Sequence, residues 1–399
     1  MIDRTAWFLI AARFPRSIWQ GALVVDFALY LRALGWSAVE ISLVLSGALI
    51  LGAMLTITLG PLSDRFGRRR FLLAYDAIQC AAAVVAFLTA ASAPLAASAV
   101  IGGFGRGGSG AAGPFSPVEQ SWLAHCVPVT RRGSMFSINS AVGFVGMAIG
   151  ASLGALPSWI GGAQPAGVAY RPLFAIAAGL SVVAFVLILV SRDAPVDPLP
   201  PTAAKQRDAA GLRAENRLML RLVLASALNG MGTGLTGPLI AYWFALRFQH
   251  GPGSIGPMLA VGFLLGAGAS LFGRWLTQRI GIVASVVAMR GAGLLMLIAL
   301  PFSPTFLVAS ALYIGRAVLN RGTTGPRSAL NVSLVRPSRR GLSSAAANVA
   351  SQVPRAIGPI VAGVFFESDA FTAPFLLAAV FQGAYIWFYD RSFRRVPLR

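Results

Sequence analysis

Residues 60–70 read GPLSDRFGRRR, and this short polar stretch separates two long apolar stretches at residues 39–59 and 71–91. Each apolar stretch has about the 20 residues that an α-helix needs to cross a bilayer. The glycines predict a tight turn between them, because glycine permits backbone angles that other residues avoid. The whole region therefore predicts a helical hairpin in a membrane.

The same alternation of apolar and polar sequence continues along the chain. The 399 residues are 56% hydrophobic and only 12% charged, whereas a soluble domain carries about 25% charged residues. Twelve apolar stretches can be counted, and we expect each to form a transmembrane helix. They cover residues 7–34, 39–59, 71–91, 95–124, 134–159, 172–191, 218–248, 254–275, 282–301, 305–325, 342–366 and 371–389.

The positive charges indicate the orientation. The net charge is +20, and most basic residues lie in every second connection and in the C-terminal tail. The positive-inside rule then places both termini in the cytoplasm, and we expect a bacterial cytoplasmic (inner) membrane. Because these basic residues lie in short loops, we expect no nucleic-acid partner. The first stretch contains Arg13 and Arg16 and has no cleavage site after it, so it predicts a retained helix.

The polar segment at residues 192–216 divides the chain at its midpoint. It predicts an N-terminal six-helix bundle at 1–191, a cytoplasmic linker at 192–216, and a C-terminal six-helix bundle with a short basic tail at 217–399.

The two halves look related. Residues 60–67 and 274–281 both end in L-x-x-R-x-G, and Gly105-Arg106 corresponds to Gly315-Arg316 at a similar offset. A parallel internal repeat of this kind occurs in secondary transporters.

The polar stretch after the second helix carries a complete family signature. Gly60, Leu62, Asp64, Arg65, Gly67, Arg68 and Arg69 match the pattern G-x-L-x-D-R-x-G-R-R. In this pattern, the helix count and the repeat, the chain resembles the major facilitator superfamily. The resemblance implies an all-α protein of twelve transmembrane helices in two pseudo-symmetric six-helix bundles. It also implies secondary active transport of a small molecule.

The resemblance further implies a gating role for this loop. Gly60, Asp64, Arg65, Gly67 and Arg68 would latch the two halves together on the cytoplasmic side. The simpler interpretation is a positive-inside loop without a latch. Glu119, near the cytoplasmic end of the fourth stretch, is predicted to pair with Arg68 and complete a charge relay.

Arg106 and Asp26 are the charged residues predicted to lie deepest in the first half. Residues 106–113 are similar to the R-x-x-x-G-x-G/A signature of proton-coupled members of the superfamily. A buried arginine is costly and usually functional, although one could also reach the interface. Asp26 lies at a similar estimated depth, about 12 Å from the end of its helix. It is predicted either to carry a proton or to form a static ion pair with Arg106.

The fifth stretch matches a second signature only in part. Gly146, Gly150 and Gly154 have the glycine spacing of the drug-exporter pattern G-x-x-x-G-P-x-x-G-G, but Ala151 replaces its proline. Such a stripe of small residues also suits close helix packing alone. We place the chain nearest to the proton-coupled drug and metabolite efflux branch.

In the second half, Arg290, Arg316, Arg321 and Arg355 fall in apolar stretches without obvious acidic partners. They either make a cationic cavity that attracts anions or bond to backbone carbonyls. Further cavity candidates are Tyr30 and Asn229.

These patterns favour a proton-coupled exporter that works by alternating access, most simply as a monomer. The alternatives are uptake or exchange of an organic anion or sugar, and a transporter-like receptor without transport. No paired carboxylates, Ser-His arrangement or metal-ligand spacing can be recognised, so we expect no enzyme, catalytic residue, cofactor or metal.

Overall fold

In the computed structural model, residues 60–70 lie at the junction of two long helices. Helix α2 (Ala38–Phe66) continues through most of this stretch, and helix α3 (Arg68–Leu88) begins two residues later. Gly67 alone joins them, with φ of 92°, and its N–H donates to the carbonyl of Ser63 at 3.1 Å. A positive φ is easily adopted only by glycine. The predicted turn is therefore a single residue.

The structure describes residues 3–106, 113, 116–128, 131–160, 167–191, 209–336 and 339–394. At 60–61, 64–65, 209–212, 214, 332 and 340–341 it describes the backbone alone. The predicted linker at 192–216 therefore lies largely outside the described residues.

The remaining helices follow the predicted stretches, except that the one at Thr324–Ser333 lies almost entirely in a predicted connection. In chain order they are α1 (Arg4–Ala33), α4 (Ser92–Gly102), α5 (Ser116–His125), α6 (Arg132–Leu153), α7 (Leu156–Ile160), α8 (Arg171–Val190), α9 (Ala209–Gly234), α10 (Ile240–Phe248), α11 (Pro252–Ile280), α12 (Ile282–Ala299), α13 (Phe306–Gly322), α14 (Thr324–Ser333), α15 (Arg340–Glu367) and α16 (Ala373–Phe393). Short 3₁₀ turns occupy Val168–Tyr170 and Leu300–Phe302. No β-strand occurs in the described ranges.

The fourth and seventh predicted spans are not continuous helices, and the fifth is broken briefly between α6 and α7. The fourth, at residues 95–124, is interrupted after α4, where Gly103 and Gly105 have φ of 65° and 72°. The seventh, at 218–248, is interrupted between α9 and α10, where Pro238 lies. Proline lacks the N–H that continues a helix, and left-handed glycines end one.

Among the described residues, seven helical segments are long and apolar enough to cross a membrane by themselves. They are Ala38–Leu59, Arg68–Leu88, Arg132–Ile160, Val168–Val190, Pro252–Ile280, Ile282–Phe302 and Leu342–Glu367. Helix α1 has the length but carries Arg13, Arg16 and Asp26. The chain is an integral membrane protein, and the predicted all-α fold is confirmed.

Two compact units can be distinguished. Unit 1 comprises Met1–Val196, Gly237–Ala267 and Ala362–Phe371. Unit 2 comprises Asp197–Thr236, Gly268–Val361 and Thr372–Arg399. The division of the sequence into two six-helix bundles at the linker stays a prediction.

Glycines allow close helix contacts in each unit. In unit 1, a Cβ at Gly150 of α6 would lie 1.8 Å from the carbonyl oxygen of Ile18 in α1. In unit 2, a Cβ at Gly358 of α15 would lie 2.2 Å from the carbonyl carbon of Gly234 in α9. Both backbones therefore approach to distances that exclude any other residue. Close approach through small residues is a common way for membrane helices to pack.

Candidate functional site

A buried ion-pair network lies at the centre of the first unit. The Arg16 guanidinium in α1 donates to both carboxylate oxygens of Asp76 in α3, at 2.8 and 2.6 Å. Its third nitrogen donates to Glu119 in α5 at 3.2 Å. Asn139 in α6 donates to the other oxygen of Glu119, also at 3.2 Å. The network thus joins four helices, and all four side chains are buried.

This network corrects one predicted pair. Glu119 bonds to Arg16 and Asn139 rather than to Arg68. Arg68 instead lies 2.9 Å from Nδ1 of His125. The sequence does contain a signal for the observed pairs, because a buried arginine needs a carboxylate partner to offset its cost. Asp76 and Glu119 are two of the four acids in the apolar stretches of the first half.

Arg106 lies at the break that ends α4, and it does not reach Asp26. Its guanidinium donates to the carbonyl of Ala48 in α2 at 3.1 Å and lies within electrostatic range of Tyr75 in α3. Gly52 makes room for it, since a Cβ there would lie 2.5 Å from a guanidinium nitrogen. The predicted pair of Asp26 and Arg106 is therefore not formed in this structure. Of the 106–113 signature, residues 107–112 lie outside the described residues.

Asp26 is buried without a hydrogen-bonding partner. It is 1% exposed, and neither carboxylate oxygen has a donor among the described residues. It lies against the end of the glycine stripe of α6, where a Cβ at Gly154 would be 2.8 Å from Oδ2. Tyr170, which the sequence analysis did not single out, lies within electrostatic range of this carboxylate.

Tyr30 lies one helical turn after Asp26, among other aromatic rings. Its ring centroid is 5.2 Å from that of Phe174 and 5.7 Å from that of Tyr170. Its buried hydroxyl has no hydrogen-bonding partner in the described part of the chain. Asp26 and Tyr30 thus place two unsatisfied polar groups in an otherwise apolar region, as residues four apart on one helix face can.

The signature loop is only partly described. At Gly60, Asp64 and Arg65 only the backbone is described. Arg69 donates to the carbonyl of Ile188 at 3.4 Å and also bonds to the carbonyl of Leu189. Those carbonyls belong to the last turn of α8, where a cation also opposes the helix dipole. The loop therefore fixes the start of α3 to the end of α8.

The second unit contains a buried arginine of a different kind. Arg290 in α12 donates to Asn229 Oδ1 at 3.0 Å and to Thr323 Oγ1 at 3.1 Å. Its guanidinium also lies 5.6 Å from the ring centroid of Tyr385. Gln382 donates to the backbone carbonyl of Asn229 at 3.3 Å. Asn229 therefore accepts from Arg290 as part of a network of neutral groups.

Arg316 in α13 is 7% exposed and makes no hydrogen bond or ion pair within the described ranges. It lies opposite Gly293 of α12, where a Cβ would be 3.8 Å from Arg316 Cγ and 3.2 Å from Asn320 Oδ1. Arg290 is close enough to interact with it electrostatically.

In the described part of the chain, no three His, Cys, Asp or Glu side chains meet as a metal site requires.

Full-length relatives and similar structures are known. An uncharacterized membrane protein of Saccharomyces cerevisiae is 22% identical over 430 residues, covering 96% of this chain and 95% of that protein. The structure of a bacterial homologue of the human lysosomal transporter Spinster has a TM-score of 0.73 at 16% identity, covering 98% of this chain and 96% of that one. An auto-inhibited peptide transporter of the POT family has a TM-score of 0.76 at 13% identity, covering 100% and 98%. At such identities the likeness shows the fold.

The family itself is shown by the sequence. Residues 9–359 match the Major Facilitator Superfamily over nearly the whole chain. The structural neighbours are transporters, and the nucleoside transporter NupG also aligns over 99% of this chain with a TM-score of 0.73 at 14% identity. This indicates a membrane transporter of a small molecule rather than an enzyme. With the signature between α2 and α3 and the helical fold, it follows that the chain belongs to the Major Facilitator Superfamily.

Proposed function

We propose that this chain is a secondary active transporter that exports a small molecule across the cytoplasmic membrane in exchange for protons, by alternating access. The observation that carries the proposal is Asp26, a carboxylate buried in α1 with no donor to either oxygen among the described residues. Resemblance to the drug and metabolite efflux branch is part of this proposal. The partial glycine signature of α6 and the sequence at 106–113 support it.

Asp26 suits the role of proton carrier because its surroundings can favour either protonation state as the helices move. Without a donor or cation nearby, an ionised carboxylate is expensive to bury, whereas a protonated one costs far less. A rearrangement that brought a donor or water to Asp26 would favour loss of the proton. Arg106 and Tyr30 are the groups we propose to meet it in another state of the cycle. Binding of proton and substrate would then exclude each other.

The test uses purified protein in liposomes with an imposed pH gradient, screened over lipophilic cations, organic anions and sugars. Asp26→Asn should abolish gradient-driven accumulation while leaving downhill exchange, because the amide cannot exchange a proton. The matched control is Asp369→Asn, which removes an exposed carboxylate that makes no ion pair in the described part of the chain. Full gradient-driven accumulation by Asp26→Asn would refute the carrier role of Asp26. Flux in the wild type that does not depend on the pH gradient would favour a proton-independent facilitator, and no flux of any substrate would favour a receptor.

Contacts at one end of unit 1 support alternating access. Backbone N–H groups of Ala38 and Val39, at the start of α2, donate to Glu367 Oε2 at the end of α15, at 2.8 and 3.4 Å. The N–H of Gly253 donates to Ser158 Oγ at 2.8 Å. These bonds join segments from before and after the predicted linker. We propose that this end faces away from the cytoplasm and is closed in this state.

The proposed orientation places both termini and the linker in the cytoplasm, because the basic loops alternate with nearly uncharged ones. A single cysteine introduced as Ala204→Cys should resist a membrane-impermeant thiol reagent in intact cells and react after the membrane is opened. Labelling in intact cells would overturn the orientation.

The signature loop is proposed to act as a latch between the two halves. Asp64→Ala should slow transport with little change in substrate affinity, because losing a latch shifts the balance of states rather than the binding contacts. Wild-type transport rates in Asp64→Ala would contradict the latch. We propose that the monomer is the transporting unit, which light scattering in detergent can test.

A further inference from the structure

The second half of the chain is unusual in its charges. Between Glu215 and Glu367 the sequence contains no aspartate or glutamate, yet it contains thirteen arginines. Among them, Arg290 and Arg316 lie in apolar helices and are each more than nine-tenths buried. Buried cations normally have carboxylate partners. No residue of this stretch can supply one.

The geometry places the side chains of Arg290 and Arg316 at the contact of α12 and α13. Arg316 and Asn320 share one face of α13, and both lie opposite Gly293 of α12. Arg290 lies three residues before Gly293, on the same side of α12. Arg290 and Arg316 also interact electrostatically. Two like charges are therefore held near each other in a region of low dielectric.

The two arginines differ in what satisfies them. Arg290 is held by the neutral oxygens of Asn229 and Thr323, which fix its position without cancelling its charge. Arg316 has no hydrogen bond to any described residue. A guanidinium whose N–H groups have no acceptor can donate two parallel hydrogen bonds to an anion such as a carboxylate or phosphate. Asn320, one turn further along α13, adds an amide beside it.

We propose that Arg316, with Arg290 beside it, binds the anionic group of the transported substrate, and that the substrate is an organic carboxylate or phosphate. The inference rests on the proposed transport function. Arg316 supplies the direct contact, and Arg290 contributes positive charge and holds Asn229 in place. Protons handled by Asp26 in unit 1 and an anion held in unit 2 would then be the two coupled species.

A ligand accounts for Arg316 better than the alternative within the protein. An arginine that stabilised the fold by bonding to exposed carbonyls would show those bonds, as Arg106 does with Ala48. Arg316 shows none in the described ranges. A phosphate group could also come from a lipid, so the experiment includes both sources.

The experiment measures thermal unfolding of the purified protein in a neutral detergent at constant ionic strength. The probes are inorganic phosphate, glycerol 3-phosphate against glycerol, and benzoate against benzamide. Phosphatidylglycerol against phosphatidylcholine forms the lipid arm. We expect at least one soluble organic anion to raise the unfolding temperature of the wild type above its neutral analogue. Arg316→Gln should weaken the apparent affinity for that anion at least about tenfold, as loss of a charged hydrogen-bonding partner does.

Arg274→Gln is the matched control, because Arg274 is exposed and lies outside the α12–α13 contact. It should leave the anion effect unchanged. Without any anion, Arg316→Gln should unfold at no lower temperature than the wild type, because no hydrogen bond to a described residue is lost. If Arg316 instead stabilised the fold, Arg316→Gln would unfold at a lower temperature than the wild type even without an anion. If Arg316→Gln does not fold, Arg316→Lys keeps the charge but loses the planar fork, and it should weaken anion binding as well.

The proposal is overturned if no soluble anion stabilises the wild type more than its neutral analogue, or if Arg316→Gln keeps the full effect. Stabilisation by phosphatidylglycerol alone would also overturn it, because the anion would then be a lipid. The assay uses no pH gradient. Anion binding can therefore fail while proton coupling through Asp26 stands, and the transport assay with Asp26→Asn decides proton coupling separately.

Discussion

The two units bury arginines within apolar helices but satisfy them differently. In unit 1, Arg16 is neutralised by Asp76 and Glu119, and the network ties four helices together. In unit 2, Arg290 bonds only to neutral groups, and Arg316 bonds to no described residue. A neutralised arginine is part of the scaffold, whereas an arginine that keeps its net charge is available to a ligand.

Asp26 and Arg316 are buried charged residues of opposite sign, and each lacks a partner of the other sign among the described residues. Asp26 is a buried acid without a cation in unit 1, while Arg316 is a buried cation without an acid in unit 2. The two residues belong to different units. Each is left to interact with something that arrives from outside the protein, a proton in one case and an anion in the other.

The largest expected effect comes from breaking the scaffold network. Arg16→Gln should destabilise the protein by about 3–5 kcal/mol, because it leaves two carboxylates buried without a cation. Arg290→Gln should cost only about 1–3 kcal/mol, since it leaves neutral groups unsatisfied and no stranded charge. Thermal and denaturant unfolding in detergent measure both.

Arg4→Gln serves as the control for Arg16→Gln, because Arg4 is an exposed arginine at the start of the same helix. It should behave like the wild type. If Arg290→Gln destabilised the protein as much as Arg16→Gln, the contrast between a neutralised and a charged arginine would be lost.

A second, smaller effect tests whether the units pack alike despite their different charges. Gly150→Ala in unit 1 and Gly358→Ala in unit 2 each place a Cβ against a neighbouring backbone, at 1.8 and 2.2 Å. Overpacking of this kind costs about 1–3 kcal/mol. Both variants should therefore unfold at lower temperature than the wild type.

The controls are Gly179→Ala in unit 1 and Gly291→Ala in unit 2, where a Cβ would meet nothing within 4 Å. Alanine favours helix over glycine by up to about 1 kcal/mol, so these variants should be unchanged or slightly stabilised. If all four variants lost the same amount of stability, the close contacts at Gly150 and Gly358 would not be the cause of the loss.

Hydropathy was enough to predict the fold, because each apolar stretch must become a helix in a bilayer. Hydropathy could not predict whether each helix runs unbroken through its apolar stretch. Gly103 and Pro238 interrupt two predicted spans, although glycine and proline are common inside unbroken membrane helices. Both breaks could be identified only once the backbone angles and helix ends were known.

The candidate site was harder to predict than the fold. The estimated depth along their helices placed Asp26 and Arg106 at the same level. Depth does not show which side of the helix each side chain lies on. The break after Gly102 turns Arg106 towards Ala48 and Tyr75 instead. The pairing of Arg16 could in principle have been predicted, since Asp76 and Glu119 are two of the four acids in the first-half apolar stretches. The sequence contained no signal that Arg68 would lie beside the exposed His125.

The smallest expected effect concerns the carboxylate of unit 2 that lies in the predicted linker. Glu215 accepts hydrogen bonds from Arg336 at 2.7 Å and Arg339 at 3.4 Å. Burial by itself would raise the pKa of Glu215, but the bonds and charges of Arg336 and Arg339 outweigh it, so its pKa lies below the usual 4.5. The ion pairs therefore contribute stability above pH 4.5, and that stability is lost as the pH falls through the lower pKa of the folded protein.

Glu215→Gln should remove this contribution, so the variant should be slightly less stable than the wild type at neutral pH and should lose less stability on acidification. Because both arginines are partly exposed, the effect should be below about 1 kcal/mol. Unfolding temperatures across the acidic range measure it, with Asp369→Asn as an exposed carboxylate outside any ion pair in the described residues. An unchanged pH profile in Glu215→Gln would mean that these arginines do not depend on Glu215. Unit 2 would then differ from unit 1 in this ion pair as well, because Glu215 would stabilise neither Arg336 nor Arg339.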